Sequence, residues 1–151
     1  DLYYATLGLD VFPLQPNSKI PYPRSNGCKD ATNNAAAVDA WWTVEPDANI
    51  GIATGHLVDV IDIDGPAGVQ SWAAMLEEPP VITVTGRVST PRPGGNHLYV
   101  AATGTGNRAG VMPGVDYRGV GGYVVAPPSR ITAGPNPGSY VWHVPLNLEG
   151  A

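Results

Sequence analysis

The run Val58-Asp59-Val60-Ile61-Asp62-Ile63-Asp64-Gly65 places two carboxylates two residues apart at the end of an apolar stretch. In an extended strand, residues i and i+2 lie on one face, so Asp62 and Asp64 project together. Like charges held that close repel and raise each other's pKa, and a cation between them removes the cost. Mg2+ and Mn2+, hard ions that prefer oxygen ligands, suit such a pair. A simple turn at Asp64-Gly65 is the alternative reading of the same residues. Asp59 falls on the opposite face by the same alternation and reads as structural or solvent-facing.

Two further segments carry groups suited to an anion. In Thr90-Pro91-Arg92-Pro93-Gly94-Gly95-Asn96-His97-Leu98-Tyr99, the Gly94-Gly95 turn lets backbone N–H groups approach an anion. His97 leads into the next strand, where it can donate to a phosphate oxygen, and Arg92 offers a guanidinium fork matched to phosphate. The competing reading is a hairpin turn followed by a histidine satisfied locally. In Gly114-Val115-Asp116-Tyr117-Arg118-Gly119, Asp116 lies between apolar neighbours in a strand-like setting, where an uncompensated acid is costly. Asp116 and Arg118 share a face, either as a plain ion pair or as a third metal carboxylate beside an arginine for phosphate or base. His56 and His143 have no partner pattern, and Trp41-Trp42 reads as core packing. Neither a P-loop, nor a Gly-x-Ser-x-Gly nucleophile elbow, nor a complete dinucleotide fingerprint occurs.

The elements that must hold these groups follow from periodicity and punctuation. Residues 2–9 fit the end of a helix closing at Gly8, and residues 11–14 a short strand stopped by Pro16-Asn17. Residues 15–33 read as a long polar loop, a kind that often carries function. Asn33 or Asn34 caps a helix through residues 35–42 that ends before Pro46. A strand running into a turn follows at 49–55 and a strand at 57–64, then a helix opened by Gly65-Pro66 and ended by Pro79-Pro80. Val69, Trp72, Ala73 and Leu76 form its expected apolar face. Beyond it the pattern is β, with strands at 81–84, 97–100, 114–118, 123–125 and 140–142. Mixed helices and strands followed by hairpins predict an α+β fold, with a mixed or antiparallel sheet and flanking helices.

Only 14% of the 151 residues are charged, 43% are hydrophobic, and the 19 glycines and 16 prolines are scattered without period. That composition supports one turn-rich globular domain over residues 1–151 and rules out collagen-like and linker readings. A single cysteine, Cys28, leaves no internal disulfide and no cysteine-based zinc site, in keeping with a cytoplasmic setting. No apolar run approaches the roughly eighteen residues of a membrane span. Because Asp1-Leu2-Tyr3-Tyr4 already reads as helix, the chain is expected to be a piece of a longer protein. The net charge of −5 argues against a nucleic-acid partner. Yet Arg87, Arg92, Arg108, Arg118 and Arg130 share their stretch with one acid, Asp116, which allows one basic face; scattered, solvated arginines are the alternative reading.

Taken in order, these segments resemble the bifunctional primase-polymerase domains of the archaeo-eukaryotic primase superfamily, found in plasmids, phages and integrated elements. That family carries an apolar strand ending in Asp-x-Asp, a Gly-Gly-x-His motif before a strand, and an acid in a later strand. The matches here are Asp62 and Asp64, Gly94-Gly95-Asn96-His97, and Asp116. Val11-Phe12-Pro13-Leu14, Lys29-Asp30-Ala31-Thr32, Trp41-Trp42, Asn49-Ile50-Gly51-Ile52-Ala53-Thr54-Gly55 and Gly121-Gly122-Tyr123-Val124-Val125-Ala126-Pro127-Pro128-Ser129 extend the similarity over residues 3 to 142. The stretch from Thr90 to Gly94 is one residue longer than the usual Thr-Pro-x-Gly-Gly, and Val120 stands where a polar residue is common.

The resemblance implies an RRM-like primase catalytic core fused to an N-terminal α/β unit. It implies a primase/DNA polymerase-type nucleotidyltransferase that extends or starts primers on a DNA template from (d)NTPs. Two Mg2+ or Mn2+ ions would be held by Asp62, Asp64 and Asp116. His97 and Arg118 would contact the triphosphate, with Thr90, Arg92, Gly94 and Gly95 also at the nucleotide. A helicase module in the same full-length chain or operon is a further implied partner, while zinc and a membrane are not expected. Two other functions use the same residues: a non-catalytic nucleotide- or single-stranded-DNA-binding module of a replication protein, and a metal-dependent phosphohydrolase or nuclease.

Overall fold

The computed structural model describes residues 1–77 and 82–150. In chain order its elements are α1 (Leu2–Thr6), β1 (Val11–Leu14), α2 (Ala35–Val44), β2 (Asn49–Ala53), β3 (Val58–Ile63), α3 (Gly65–Glu77), β4 (Gly86–Ser89), β5 (Asn96–Ala101), β6 (Arg108–Met112), β7 (Val115–Arg118), β8 (Tyr123–Ala126), β9 (Arg130–Ile131), β10 (Gly138–Ser139) and β11 (Val141–Val144). Strands β11-β4-β5-β3-β7-β6 form one sheet in that order, β1-β2-β8 a second, and β9 and β10 a short pair. Every pairing between these strands is antiparallel. The α+β class and the antiparallel sheet are therefore as the sequence predicts. Among the described residues no helix is long and apolar enough to cross a membrane.

β3 organises the rest. All of its residues are buried, and its β-branched Val58, Val60, Ile61 and Ile63 suit a strand covered on both faces. Alternation sends Val58 and Val60 to the inner side, where they join Tyr99 and Val88 in a core shared with Leu9, Phe12, Ile52 and Val124. The two larger sheets thus pack on one another through this layer. Ile61 and Ile63 go the other way and meet Leu98, Val100 and Val115, with Trp72 of α3 and Met112 packed against them. Because β8 pairs with β2, the late chain completes the sheet begun by the early chain. α2 is capped by Asn34, whose Oδ1 accepts the Ala37 N–H at 3.0 Å.

Three sequence expectations shift. α3 does not bury Val69, Ala73 and Leu76: Val69 is 45% and Leu76 53% exposed, while Gly68 is buried. The cause is a backbone contact, since a Cβ on Gly68 would lie 2.4 Å from the Gly114 carbonyl oxygen. That contact turns the helix so that Ser71, Trp72 and Met75 face inward. Residues 82–84 are not a strand; the strand begins at Gly86, where pairing with β5 sets the register. Val81, and the end of α3 expected at Pro79-Pro80, lie outside the described residues. Asp59 is structural but not solvent-facing. It is fully buried and accepts from the Thr103 N–H at 3.0 Å and the Tyr117 hydroxyl at 2.5 Å.

Buried phenols make the fold sensitive to alkali. The Tyr4 hydroxyl donates to the Pro127 carbonyl at 2.5 Å and accepts from the Trp142 indole at 3.0 Å. Burial pushes the Tyr4 hydroxyl up to about 12. Burial, with the charges of Asp62 and Asp64, does the same for Tyr140. An unfolded tyrosine ionises near 10, so the folded state holds these protons more tightly. The resulting stability is present below about pH 10 and is lost as pH rises toward about 12. The urea midpoint is expected to be level up to about pH 9 and to fall above about pH 10. Tyr4→Phe should lower the midpoint at neutral pH and flatten that fall.

Candidate active site

Strand register, rather than sequence proximity, assembles the site. Asp62 on β3 pairs with His97 on β5 to one side and with Asp116 on β7 to the other. His97, Asp62 and Asp116 therefore stand abreast on the inner face of the large sheet. Asp64 follows just beyond β3, where its N–H donates to the Gly114 carbonyl at 2.7 Å. Gly68 reaches back to the Asp64 carbonyl at 3.2 Å, and Ser71 Oγ donates to the Pro113 carbonyl at 2.7 Å. The first turns of α3 and the turn before β7 are thereby fastened together around Asp64. As a result Asp62, Asp64 and Asp116 each offer a carboxylate oxygen within 4.8 Å of the others.

Cations surround this cluster. Arg118 Nη2 lies 3.2 Å from Asp62 Oδ2 and 3.1 Å from Asp116 Oδ2. Arg92 Nη1 lies 3.7 Å from Asp64 Oδ1. His97 Nε2 is 3.4 Å from Asp62 Oδ1, close but not in hydrogen-bonding geometry, and that buried oxygen has no other partner. His97 Nδ1 is likewise buried without a partner. Burial pushes the Asp62 carboxyl up, but His97 and Arg118 outweigh it and hold the carboxyl below its ordinary value. Burial, and then the charge of Asp62, push Asp64 up, with Arg92 only partly opposing them. Neighbouring charge thus splits the pair, and Asp64 is the acid that an added cation relieves.

The cluster opens into a cleft of about 670 Å3 between the sheets. Asp62, Asp64, His97 and Arg118 line it from the large sheet and its edge, and Tyr123, Val124 and Val125 line it from β8 of the smaller sheet. Thr90 and Arg92 reach the cleft; Gly94, Gly95 and Asp116 are not among its lining residues. The Gly95 N–H is spent inside its own turn, donating to the Arg92 carbonyl at 2.8 Å. A Cβ on Gly95 would fall 2.0 Å from Thr90 Oγ1, itself buried without a partner, so the glycine is needed for close packing in this turn.

Lys19, Asn107 and Tyr140 also line the cleft, and the sequence did not mark them. Tyr140 stacks on His97, with ring centroids 5.9 Å apart and planes inclined at 28°. Its only sequence signal was membership of a late strand pattern, and Lys19 had only its place in the long polar loop. Of the two readings of the five arginines, the scattered one holds. Arg87 pairs with Leu98 and Arg108 with Tyr117, which puts both on the outer side of the sheet. Arg130 lies on β9 with Nε on Asn17 Oδ1 at 3.3 Å. Only Arg92 and Arg118 of the five arginines line the cleft.

The acidic cluster fits a hard divalent cation. Its donors are all carboxylate oxygens, and Asp62 Oδ1 is buried with no hydrogen-bond donor. Such a set suits Mg2+ or Mn2+, whereas zinc sites are built mainly from cysteine and histidine. No curated protein matches the chain. The family described as bifunctional DNA primase/polymerase, N-terminal, matches residues 1–150. With that match over almost the whole length, the chain belongs to the bifunctional DNA primase/polymerase N-terminal domain family, whose activity is nucleotidyl transfer of the primase/polymerase type.

Proposed function

We propose that this chain extends, or starts, primers on a DNA template by metal-dependent nucleotidyl transfer from (d)NTPs. The observation that carries the reading is the meeting of three carboxylates, two of them lining the cleft, with His97 and two arginines. Asp62, Asp64 and Asp116 would hold two Mg2+ or Mn2+ ions. Bound there, such ions would favour ionisation of a primer 3′-hydroxyl and would neutralise charge on the triphosphate and the departing pyrophosphate. His97, fixed by its stack on Tyr140, contacts the triphosphate. Arg118 and Arg92 offer it charge-assisted hydrogen bonds. Thr90, Gly94 and Gly95 act through the turn that carries Arg92. The β3-centred sheet corresponds in this proposal to an RRM-like catalytic core, with β1 and β2 belonging to the appended N-terminal unit. The domain works within a longer, cytoplasmic replication protein, beside a helicase module.

Primer extension of an end-labelled DNA strand, with pyrophosphate measured in parallel, tests the proposal. Metal-dependent lengthening with equimolar pyrophosphate is expected. Release of mononucleotides without lengthening would instead identify a nuclease or phosphohydrolase, and nucleotide binding without turnover a binding module. Tyr140→Leu removes the stack on His97, an interaction of about 1 kcal/mol. KM for dNTP should rise several-fold while kcat changes less, whereas Tyr140→Phe, which keeps the ring, should stay near wild type. Steady-state kinetics on a primed template check both.

A further inference from the structure

Arg118 occupies a position that bears on how ligands enter the site. A single nitrogen, Nη2, bridges Asp62 Oδ2 and Asp116 Oδ2 at 3.2 and 3.1 Å. The other Asp116 oxygen, Oδ1, accepts the Gly110 N–H at 2.7 Å. Both Asp116 oxygens are therefore engaged by the protein itself, and Asp116 is not among the residues lining the cleft, whereas Arg118 is. A guanidinium nitrogen between two carboxylates competes directly with an oxygen-seeking dication for the same atoms. The Arg118 side chain is 28% exposed, so it borders open space on its cleft side. A triphosphate arriving there offers the guanidinium an anionic, bidentate partner. Meanwhile Asp62 Oδ1 is buried with no hydrogen bond and only His97 Nε2 beside it, at 3.4 Å, so this oxygen can still turn to a cation.

We infer that Arg118 is an exchangeable counter-ion: without substrate it bridges Asp62 and Asp116 and opposes metal binding, and a triphosphate draws it away and frees those oxygens. Metal and nucleotide then bind with positive coupling, which linkage makes reciprocal. The site accordingly favours ions that arrive together with a triphosphate over free ions. This rests on the nucleotidyl-transfer reading of the cleft. Arg92 acts in the same sense on Asp64, but more weakly, since it stands 3.7 Å away on a side chain that is 53% exposed.

The test compares Mn2+ alone, titrated by loss of the free-ion EPR signal, with dATP titrated calorimetrically at saturating Mn2+. Arg118→Gln should bind Mn2+ alone about tenfold tighter than wild type, because one competing positive charge is gone. It should bind dATP in the presence of Mn2+ about tenfold more weakly. Arg118→Lys, which keeps the charge, should leave Mn2+ affinity near the wild-type value. If Arg118→Gln does not fold, as circular dichroism would show, Arg92→Gln carries the same test with a smaller tightening. Unchanged or weaker Mn2+ binding in the folded Arg118→Gln protein overturns the inference, since a merely structural arginine would give that result. Mn2+ binding that Asp62→Asn leaves untouched would overturn the metal reading of the cluster itself, and the inference with it.

Discussion

Asp62→Asn is expected to abolish primer extension while leaving the fold in place. Asp62 is the central carboxylate of the cluster, abreast of both His97 and Asp116, and the one held below the ordinary carboxylate range. Asparagine keeps the shape but removes the charge that a divalent ion needs. Metal-ion catalysis is worth several kcal/mol, so kcat/KM should fall by roughly a thousandfold or more. Folding should survive because Arg118 retains its contact with Asp116. Single-nucleotide incorporation with Mg2+ and with Mn2+, alongside circular dichroism, makes the measurement. A folded variant with wild-type rates would remove Asp62 from the chemistry.

The second large effect is expected from Gly114→Ala, a residue that touches no substrate. Gly114 has φ +71°, and a Cβ there would lie 2.3 Å from the Gly68 nitrogen, 2.7 Å from its Cα and 2.8 Å from the Asp64 carbonyl oxygen. All three are backbone atoms, so no side chain can swing away, and α3 must separate from the turn that holds Asp64. A loss of about 3 kcal/mol or more in stability is expected, with metal affinity reduced even well below the melting temperature. Gly104→Ala is the control. Gly104 has a similar φ of +79°, but the methyl group of an alanine there would meet nothing within 4 Å. Only the backbone preference, about 1 kcal/mol, is then at stake. Equal urea midpoints for the two variants would show that close approach at Gly114 is unimportant.

Local features of the chain pointed to the three carboxylates that the fold brings together. Alternation along residues 58–64 put Asp62 and Asp64 on one side and Asp59 on the other. The Gly94-Gly95 turn ahead of His97, and an acid set between apolar neighbours at Asp116 with Arg118 on the same face, marked the other two segments. Family resemblance then linked these segments before any contact between them was known, and the family match over residues 1–150 agrees with it.

Tertiary structure decided the rest, because those decisions depend on which segments become neighbours. Periodicity gives the face of a residue but not its cross-strand partner, so the placement of β3 between β5 and β7 was not legible. That placement is what sets His97, Asp62 and Asp116 in one row. The inward face of α3 was set by the Gly68–Gly114 backbone contact, which overrode the helix's own apolar spacing. The five arginines were dispersed by strand alternation and chain reversal, leaving only Arg92 and Arg118 in the cleft. Tyr140 reached His97 from more than forty residues away, through packing that no short-range pattern encodes. Residue type and local spacing are properties of the chain, so the candidate groups were legible before folding. Only the folded structure determined their partners, since register and close packing minimise the energy of the whole molecule.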